Sequence, residues 1–221
     1  MSTNRKPALR GNGISMPFPI SPDYVKKWTT PRAIVELIAN ALDEDSKAAV
    51  FWADGLLTIE DQGPGITQDA FVLGASNKTS QQIGQFGEGK KLAALVLARD
   101  PEIGEIWFET VGYKFTPSIE NRSPLDGIVP MRGDKAAATL VYTLYPGERT
   151  TGTKITIQCP KHVADDAISR VLHLAQPDYT PPRDKARIMF DGTPGRIFIG
   201  GILVSTDPRL SASYDLPLDM A

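Results

Sequence analysis

Glu36-Leu37-Ile38-Ala39-Asn40-Ala41-Leu42-Asp43 is the stretch from which the rest of the chain is read. Leu37, Ile38, Ala41 and Leu42, with Ile34 and Val35 before them, fall on one stripe at helical spacing. Thr29-Thr30-Pro31 supplies the start of that helix: a threonine cap, then proline at the first helical position, where its missing N–H is not needed. Glu36, Asn40 and Asp43 are then four and three residues apart, which puts them on one helix face. Glu36 can accept a proton, Asn40 offers a neutral carbonyl oxygen, and Asp43 is an anion one turn on. A carboxylate beside an amide oxygen suits activation of a water next to a hydrated magnesium ion, which prefers oxygen ligands and keeps several waters. A solvated helix face with acidic residues at its end reads the same from this stretch alone.

The next stretches narrow that choice. Leu56-Leu57-Thr58-Ile59-Glu60 reads as a strand ending at Asp61, and Gln62-Gly63-Pro64-Gly65 is a tight turn that lets backbone approach a ligand. An aspartate at such a strand end can accept a hydrogen bond from an exocyclic amine, such as that of adenine. An ordinary Asp-x-Gly turn closing a hairpin has the same letters. Further on, residues 90–99 are a strong helix former with an apolar stripe, preceded by Gly84, Gly87 and Gly89. Glycines at a helix start leave backbone N–H groups open to phosphate. The spacing imitates a dinucleotide fingerprint, but that fold needs an apolar strand immediately before it, and Ser76-Asn77-Lys78-Thr79-Ser80-Gln81-Gln82 is polar. This run reads as a flap whose end closes on phosphates, or as a plain surface loop.

In this order and at these separations the stretches resemble the GHKL ATPases, over residues 31–160. These proteins share the Bergerat nucleotide-binding fold and include type II topoisomerase ATPase subunits, heat-shock chaperone ATPases, MutL, MORC proteins and histidine kinases. The resemblance implies ATP and Mg2+ as ligands. It makes Glu36 the general base, Asn40 the magnesium ligand with Asp43 and Glu44 close by, and Asp61 the reader of the adenine amino group. Gly63 and Gly65 make room, with Ile66 following them. Asn77, Lys78, Gly84, Gln85, Phe86, Gly87, Glu88 and Gly89 form the lid that wraps the phosphates. Lys91 contacts phosphate, and Thr153, in Gly152-Thr153-Lys154-Ile155-Thr156-Ile157, lies under the adenine. The Glu36 carboxylate places the chain with the hydrolases rather than the kinases, and His162 and His173 have no phospho-acceptor context. The string Ile83-Gly84-Gln85-Phe86-Gly87-Glu88-Gly89-Lys90-Lys91-Leu92-Ala93 is similar to chaperone and MORC lids. Together with Gly195-Arg196-Ile197-Phe198-Ile199-Gly200-Gly201-Ile202-Leu203-Val204 it resembles phage rIIA-like ATPases. The expectation is an ATPase acting as a switch, in which nucleotide closes the lid and favours a homodimer read by a protein client. The alternative is a nucleotide-binding interaction module with little or no turnover.

A length of 221 residues suits one large domain or a domain with an appendage. The reading divides it into an N-terminal arm (1–28), the ATP-binding core (29–160, lid about 67–90) and a C-terminal helix and strands (161–221). It expects a truncation before a second domain, which in relatives supplies a cation for the γ-phosphate. The net charge of −2 gives no basic footprint, so direct nucleic-acid binding by this segment is not expected. Cys159 is the single cysteine, read as a strand thiol. No run is apolar enough to suggest membrane insertion and no signal-like start is visible, so a bacterial or phage-infected host cytoplasm is expected.

The expected fold class is α+β: a Bergerat-type α/β sandwich, with a mixed, mostly antiparallel sheet covered on one face by helices. Strands are predicted near 48–53, 56–60, 105–115, 138–145, 153–159, 188–190 and 196–204. Helices are predicted at 22–28 and 161–175 besides those above. Residues 146–152 read as a hairpin-type loop, residues 1–19 as an irregular arm, and the end of the chain as lacking a closing element.

Overall fold

The computed structural model describes residues 12–67, 89–121, 138–176, 178–190 and 192–220. Helix α1 (Thr30–Glu44) begins as expected, with Thr29 at the cap and proline in the first turn. The Thr29 side chain makes no capping bond among the described residues, and the neighbouring Thr30 hydroxyl donates to Asp100 instead. Its apolar stripe is wide: Ala33, Ile34, Leu37, Ile38 and Ala41 are buried, and so are Val35 and Ala39. The cause is that α1 packs on three neighbours, namely the main sheet, helix α2 (Gly89–Arg99) and helix α3 (Lys161–Ser169). Helix α2 is buried at every residue from 92 to 97, as a central helix must be.

The main sheet has seven strands in the order β1-β6-β5-β4-β7-β3-β2, and every neighbouring pair is antiparallel. The strands are β1 (Ile14–Phe18), β2 (Ala49–Ala53), β3 (Leu56–Asp61), β4 (Ile106–Thr110), β5 (Tyr113–Glu120), β6 (Thr139–Pro146) and β7 (Thr153–Gln158). Alternation sends Leu57, Ile59, Ile106, Phe108, Phe115, Leu140, Tyr142, Ile155 and Ile157 into the core under the helices. Each such side chain contributes about 1.5–3 kcal/mol by burial. Phe108 and Phe115 stack at 4.6 Å, with Tyr142 edge-on to Phe115 at 5.5 Å.

Several expectations need correction. The single strand expected at 105–115 is the hairpin β4–β5, turned at Val111-Gly112 with Gly112 at φ +79°. The loop after Pro146 does not close a hairpin, because β5 and β4 stand between β6 and β7. It crosses their ends, tied there by Gly147 N–H to Gly112 O and Gly112 N–H to Arg149 O, both 3.0 Å. Part of the arm, β1, is a sheet edge strand. Residues 22–27 make turns rather than a helix: Val25 takes φ +49°, and the Arg99 guanidinium collects the carbonyls of Pro22, Tyr24, Val25 and Trp28.

The C-terminal region differs most. The helix expected at 161–175 breaks into α3 and the short α4 (Leu172–Ala175), because Val171 leaves the helix to bridge Ile202. The strand expected at 196–204 is a hairpin, β9 (Arg196–Ile199) and β10 (Ile202–Thr206), around Gly200-Gly201 at φ +54° and +84°. Strand β8 (Arg187–Met189) pairs with β11 (Ser213–Leu216), and β11 runs parallel to β9. The one sheet of mixed direction that the sequence suggested is therefore two: an antiparallel main sheet, and a four-stranded sheet β10-β9-β11-β8 that holds the parallel pair. Strand β11 and a 3-10 helix at Leu218–Met220 close the region. Phe198, Met189 and Leu172 form its own small core, while Ile202 joins the main one. The fold class is α+β, and no helix among the described residues is long and apolar enough to cross a membrane.

Candidate functional site

The middle of α1 meets the start of α2. Glu36 is half-buried and Asn40 is buried. The Asn40 side-chain N–H donates to the Glu36 carbonyl one turn back, which fixes the amide plane and makes Oδ1 its acceptor. Gly89, the first residue of α2, stands directly against both: an added Cβ would lie 2.9 Å from Glu36 Oε2 and 3.6 Å from Asn40 Nδ2. Only glycine lets the N-terminus of α2 approach the two side chains this closely. Asp43 is half-buried one turn on, and Glu44 is exposed.

The end of β3 forms the second part. Asp61 is only 5% exposed, and its Oδ1 accepts the N–H groups of Gly63 (2.9 Å) and Thr153 (3.1 Å). Among the described residues no group donates to Oδ2. Thr153 is the register partner of Asp61 across β3–β7, so the second donor is set by strand pairing. Burial pushes the Asp61 carboxyl above its ordinary value; the Gly63 and Thr153 N–H groups and the charges of Lys90 and Arg149 oppose this without cancelling it.

The turn after Asp61 is built against its neighbours. A Cβ on Gly63 would lie 2.7 Å from Glu44 Cβ, so the turn rests on the end of α1. Gly65 has φ +88° and packs on Thr110 and Val111. Ile66 is held at both backbone groups: its N–H donates to Thr110 Oγ1 (2.7 Å) and its carbonyl accepts from Tyr113 (2.8 Å). Burial pushes the Tyr113 phenol up to about 12, so it stays a donor. Lys91 is buried, and with Lys90 and Ile66 it lines a cavity of about 20 Å³ between the helix start and the aromatic core.

The structure thus brings together Glu36, Asn40 and Gly89, and Asp61, Gly63 and Thr153, with Asp43, Gly65, Ile66 and Lys91 around them. Asn77, Lys78, Gly84, Gln85, Phe86, Gly87 and Glu88 lie outside the described residues. Gly152, Thr110, Tyr113, Lys90 and Arg149 were not singled out from sequence. Gly152 has φ +68°, and a Cβ there would collide with the Asp61 carbonyl. It stood next to Thr153 and was legible; Thr110 and Tyr113 act on Ile66 from more than forty residues away and carry no local signal.

Among the described residues no three His, Cys, Asp or Glu side chains stand together as a metal cluster. The Asn40 amide oxygen and the Glu36 carboxylate are hard oxygen donors beside the glycine-lined approach of α2, and they fit magnesium that keeps most of its waters. Glu36 also lines a cleft of about 400 Å³ between α1 and β10, with Arg32 and Arg170. A cleft of about 800 Å³ lies at the opposite end of the helices, beside Trp28, Arg99 and His162. Its charges are spent internally: Arg99 on four carbonyls, Asp100 on Thr30, and His162 3.6 Å from Glu102. His173 Nε2 lies 3.1 Å from the Gly200 carbonyl in the small sheet. Cys159 is buried, and burial pushes its thiol up to about 11, which suits packing and not nucleophilic chemistry.

No family model matches the chain. A protein of Mycoplasma pneumoniae, described as an uncharacterized protein, is 27% identical over 203 residues, covering 86% of this chain and 78% of the relative. That description names no activity, so function is argued from the site.

Proposed function

We propose that the chain binds ATP with magnesium and hydrolyses it, as a GHKL ATPase with a Bergerat-type sandwich akin to the phage rIIA-like group. The observation that carries this is Asp61: a buried carboxylate with Oδ1 held by two backbone N–H groups and Oδ2 left to a ligand donor. A planar amine such as the adenine N6 group is the donor that such an oxygen takes beside a glycine turn. The phosphates then lie toward the N-terminus of α2, which Gly89 brings up against Glu36 and Asn40. Magnesium, held through the Asn40 oxygen, would supply charge neutralisation for the phosphates. Glu36 takes the proton of the attacking water as its oxygen bonds to the γ-phosphorus and the bridging P–O bond breaks, leaving ADP and phosphate. Nucleotide-dependent pairing with a second copy and with a protein client belongs to the same proposal.

The test is phosphate release at saturating ATP. Glu36→Gln is expected to lower turnover by about a hundredfold or more, with calorimetric affinity for a non-hydrolysable analogue unchanged. Equal rates in parent and variant would place the base elsewhere. Tight analogue binding without turnover in the parent would mark an interaction module instead.

A further inference from the structure

Glu36 borders two spaces. It meets Gly89 at the start of α2, and it also lines the cleft of about 400 Å³ between α1 and the edge strand β10. Arg32, one turn before Glu36 on α1, is exposed, and its guanidinium carbon stands 4.4 Å from the centre of the Trp28 ring. A contact through the ring face spends none of the guanidinium N–H donors. Arg32 has no hydrogen bond or ion pair among the described residues. Arg170, at the end of α3, gives its Nε and Nη2 donors to Asp166 at 3.0 and 3.1 Å, and its Nη1 has no acceptor among the described residues. Strand β10 adds Ser205 and Thr206, both exposed, and the Thr29 hydroxyl, which makes no capping bond, completes the set of donors. Asp166 offsets Arg170, so the charge of the cleft is decided between Arg32 and Glu36. Against a water's share of about 30 Å³, the volume admits a tetrahedral oxyanion with part of its hydration shell.

We propose that this cleft is an oxyanion site that takes the inorganic phosphate released by hydrolysis, with Arg32 as its chief ligand. The product assignment rests on the hydrolysis proposed above; the oxyanion site stands without it. The planar fork of arginine matches two phosphate oxygens, and Arg170 Nη1 with the Ser205 and Thr206 hydroxyls supplies further donors. Glu36 makes occupancy conditional. While ionised, its carboxylate repels a phosphate anion and offsets Arg32. Once it has taken the proton of the attacking water it is neutral, and the balance of the cleft turns positive as free phosphate forms beside it. Phosphate then passes from the α2 side of Glu36 into the cleft, away from ADP. When Glu36 gives its proton to solvent water, the repulsion returns and the phosphate leaves.

The experiment follows the amide resonances of Ser205, Thr206 and Gly89 as inorganic phosphate is added to the nucleotide-free chain at constant ionic strength and neutral pH. Saturable shifts are expected at Ser205 and Thr206. Arg32→Gln should weaken that binding about tenfold or more, and Arg32→Lys, which keeps the charge but loses the fork, by less. Glu36→Gln, which removes the repelling charge, should strengthen it about threefold. Arg32 is exposed, so its variants should keep the parent fold, and Glu36→Gln reads the site independently of them. Shifts that do not saturate, shifts confined to Gly89, or equal affinity in Arg32→Gln and the parent would overturn the site. Affinity that does not rise in Glu36→Gln would overturn its conditional filling. In the hydrolysing chain, added phosphate should slow turnover in the parent more than in Arg32→Gln, and equal inhibition would overturn the product assignment. Arg32-dependent phosphate binding in a chain that does not hydrolyse ATP would overturn the hydrolysis reading and leave the oxyanion site standing.

Discussion

Two buried aspartates, one in each sheet, stand beside glycine turns and do different things. Asp215 in the small sheet is fully buried; its Oδ1 accepts Gly201 N–H at 3.0 Å and its Oδ2 accepts the Tyr179 hydroxyl at 2.7 Å. Asp61 in the main sheet is nearly as buried, but both of its donors converge on Oδ1. Burial alone does not separate them; the count of used oxygens does. A carboxylate satisfied on both sides locks a turn, here Gly200-Gly201 with its two positive φ angles. A carboxylate with one oxygen left over bears a desolvation penalty that a ligand can relieve. Tyr179 fits this division: burial and the Asp215 charge push its phenol well up, so it remains the donor that completes the lock.

The sharpest way to break the comparison is at Asp215. Asp215→Ala strands the Gly201 N–H and the Tyr179 hydroxyl inside the small core. Hydrogen bonds to charged groups are worth about 1.5–3 kcal/mol each, so the loss in unfolding free energy should be about 3 kcal/mol by denaturant titration. A loss below about 1 kcal/mol would mean that Asp215 is no more structural than Asp61. Analogue affinity of the folded variant should stay at the parent value.

The complementary change is Asp61→Asn. The amide oxygen still accepts from Gly63 and Thr153, so the turn keeps its bonds. The amide nitrogen now faces the incoming amine, donor against donor. Affinity for the ATP analogue should fall by about 2 kcal/mol, or about 30-fold, by calorimetry. Undiminished affinity would sink the adenine assignment.

The contrast between the sheets also marks what the sequence made legible. The α1 stripe, Asp61 at a strand end, the glycine at the start of α2 and a strand from Thr153 are legible in local letters, because each depends on periodicity or a turn residue. The single strand expected at 105–115 hid a hairpin because Val111-Gly112 is a short interruption in an alternating run of strand-forming residues. The loop from β6 to β7 was misread because strand order is a long-range property: adjacency along the chain suggested pairing that β4 and β5 prevent. The small sheet was the least legible. Its β9 and β10 are short, its turn is two glycines inside an apolar string, and β11 reads as an unremarkable tail until its pairing with β8 and β9 is seen. Arg149 was invisible for the same reason: nothing local connects it to Glu60, 89 residues earlier.

The smallest expected effect sharpens the comparison most directly, because it reads the unused oxygen of Asp61 without any ligand. The folded chain holds the Asp61 carboxyl above its ordinary value of 3.8, chiefly by burial. Folding therefore favours the protonated acid, and linkage gives the sign. Asp61 contributes to stability below the unfolded value, and that contribution is lost as pH rises through the higher folded value. Near neutrality the ionised Asp61 is then a net burden on the fold, which Asp61→Asn removes. The variant should unfold at a higher temperature than the parent at neutral pH, with the gap closing as pH falls below about 4. Asp215→Asn serves as the control. It replaces an acceptor of the Tyr179 hydroxyl with an amide nitrogen or turns that nitrogen on Gly201 N–H, and so lowers thermal stability at neutral pH. Thermal unfolding of the two variants across pH decides the matter. If Asp61→Asn is destabilising at neutral pH, Oδ2 has a partner within the fold and Asp61 belongs with Asp215.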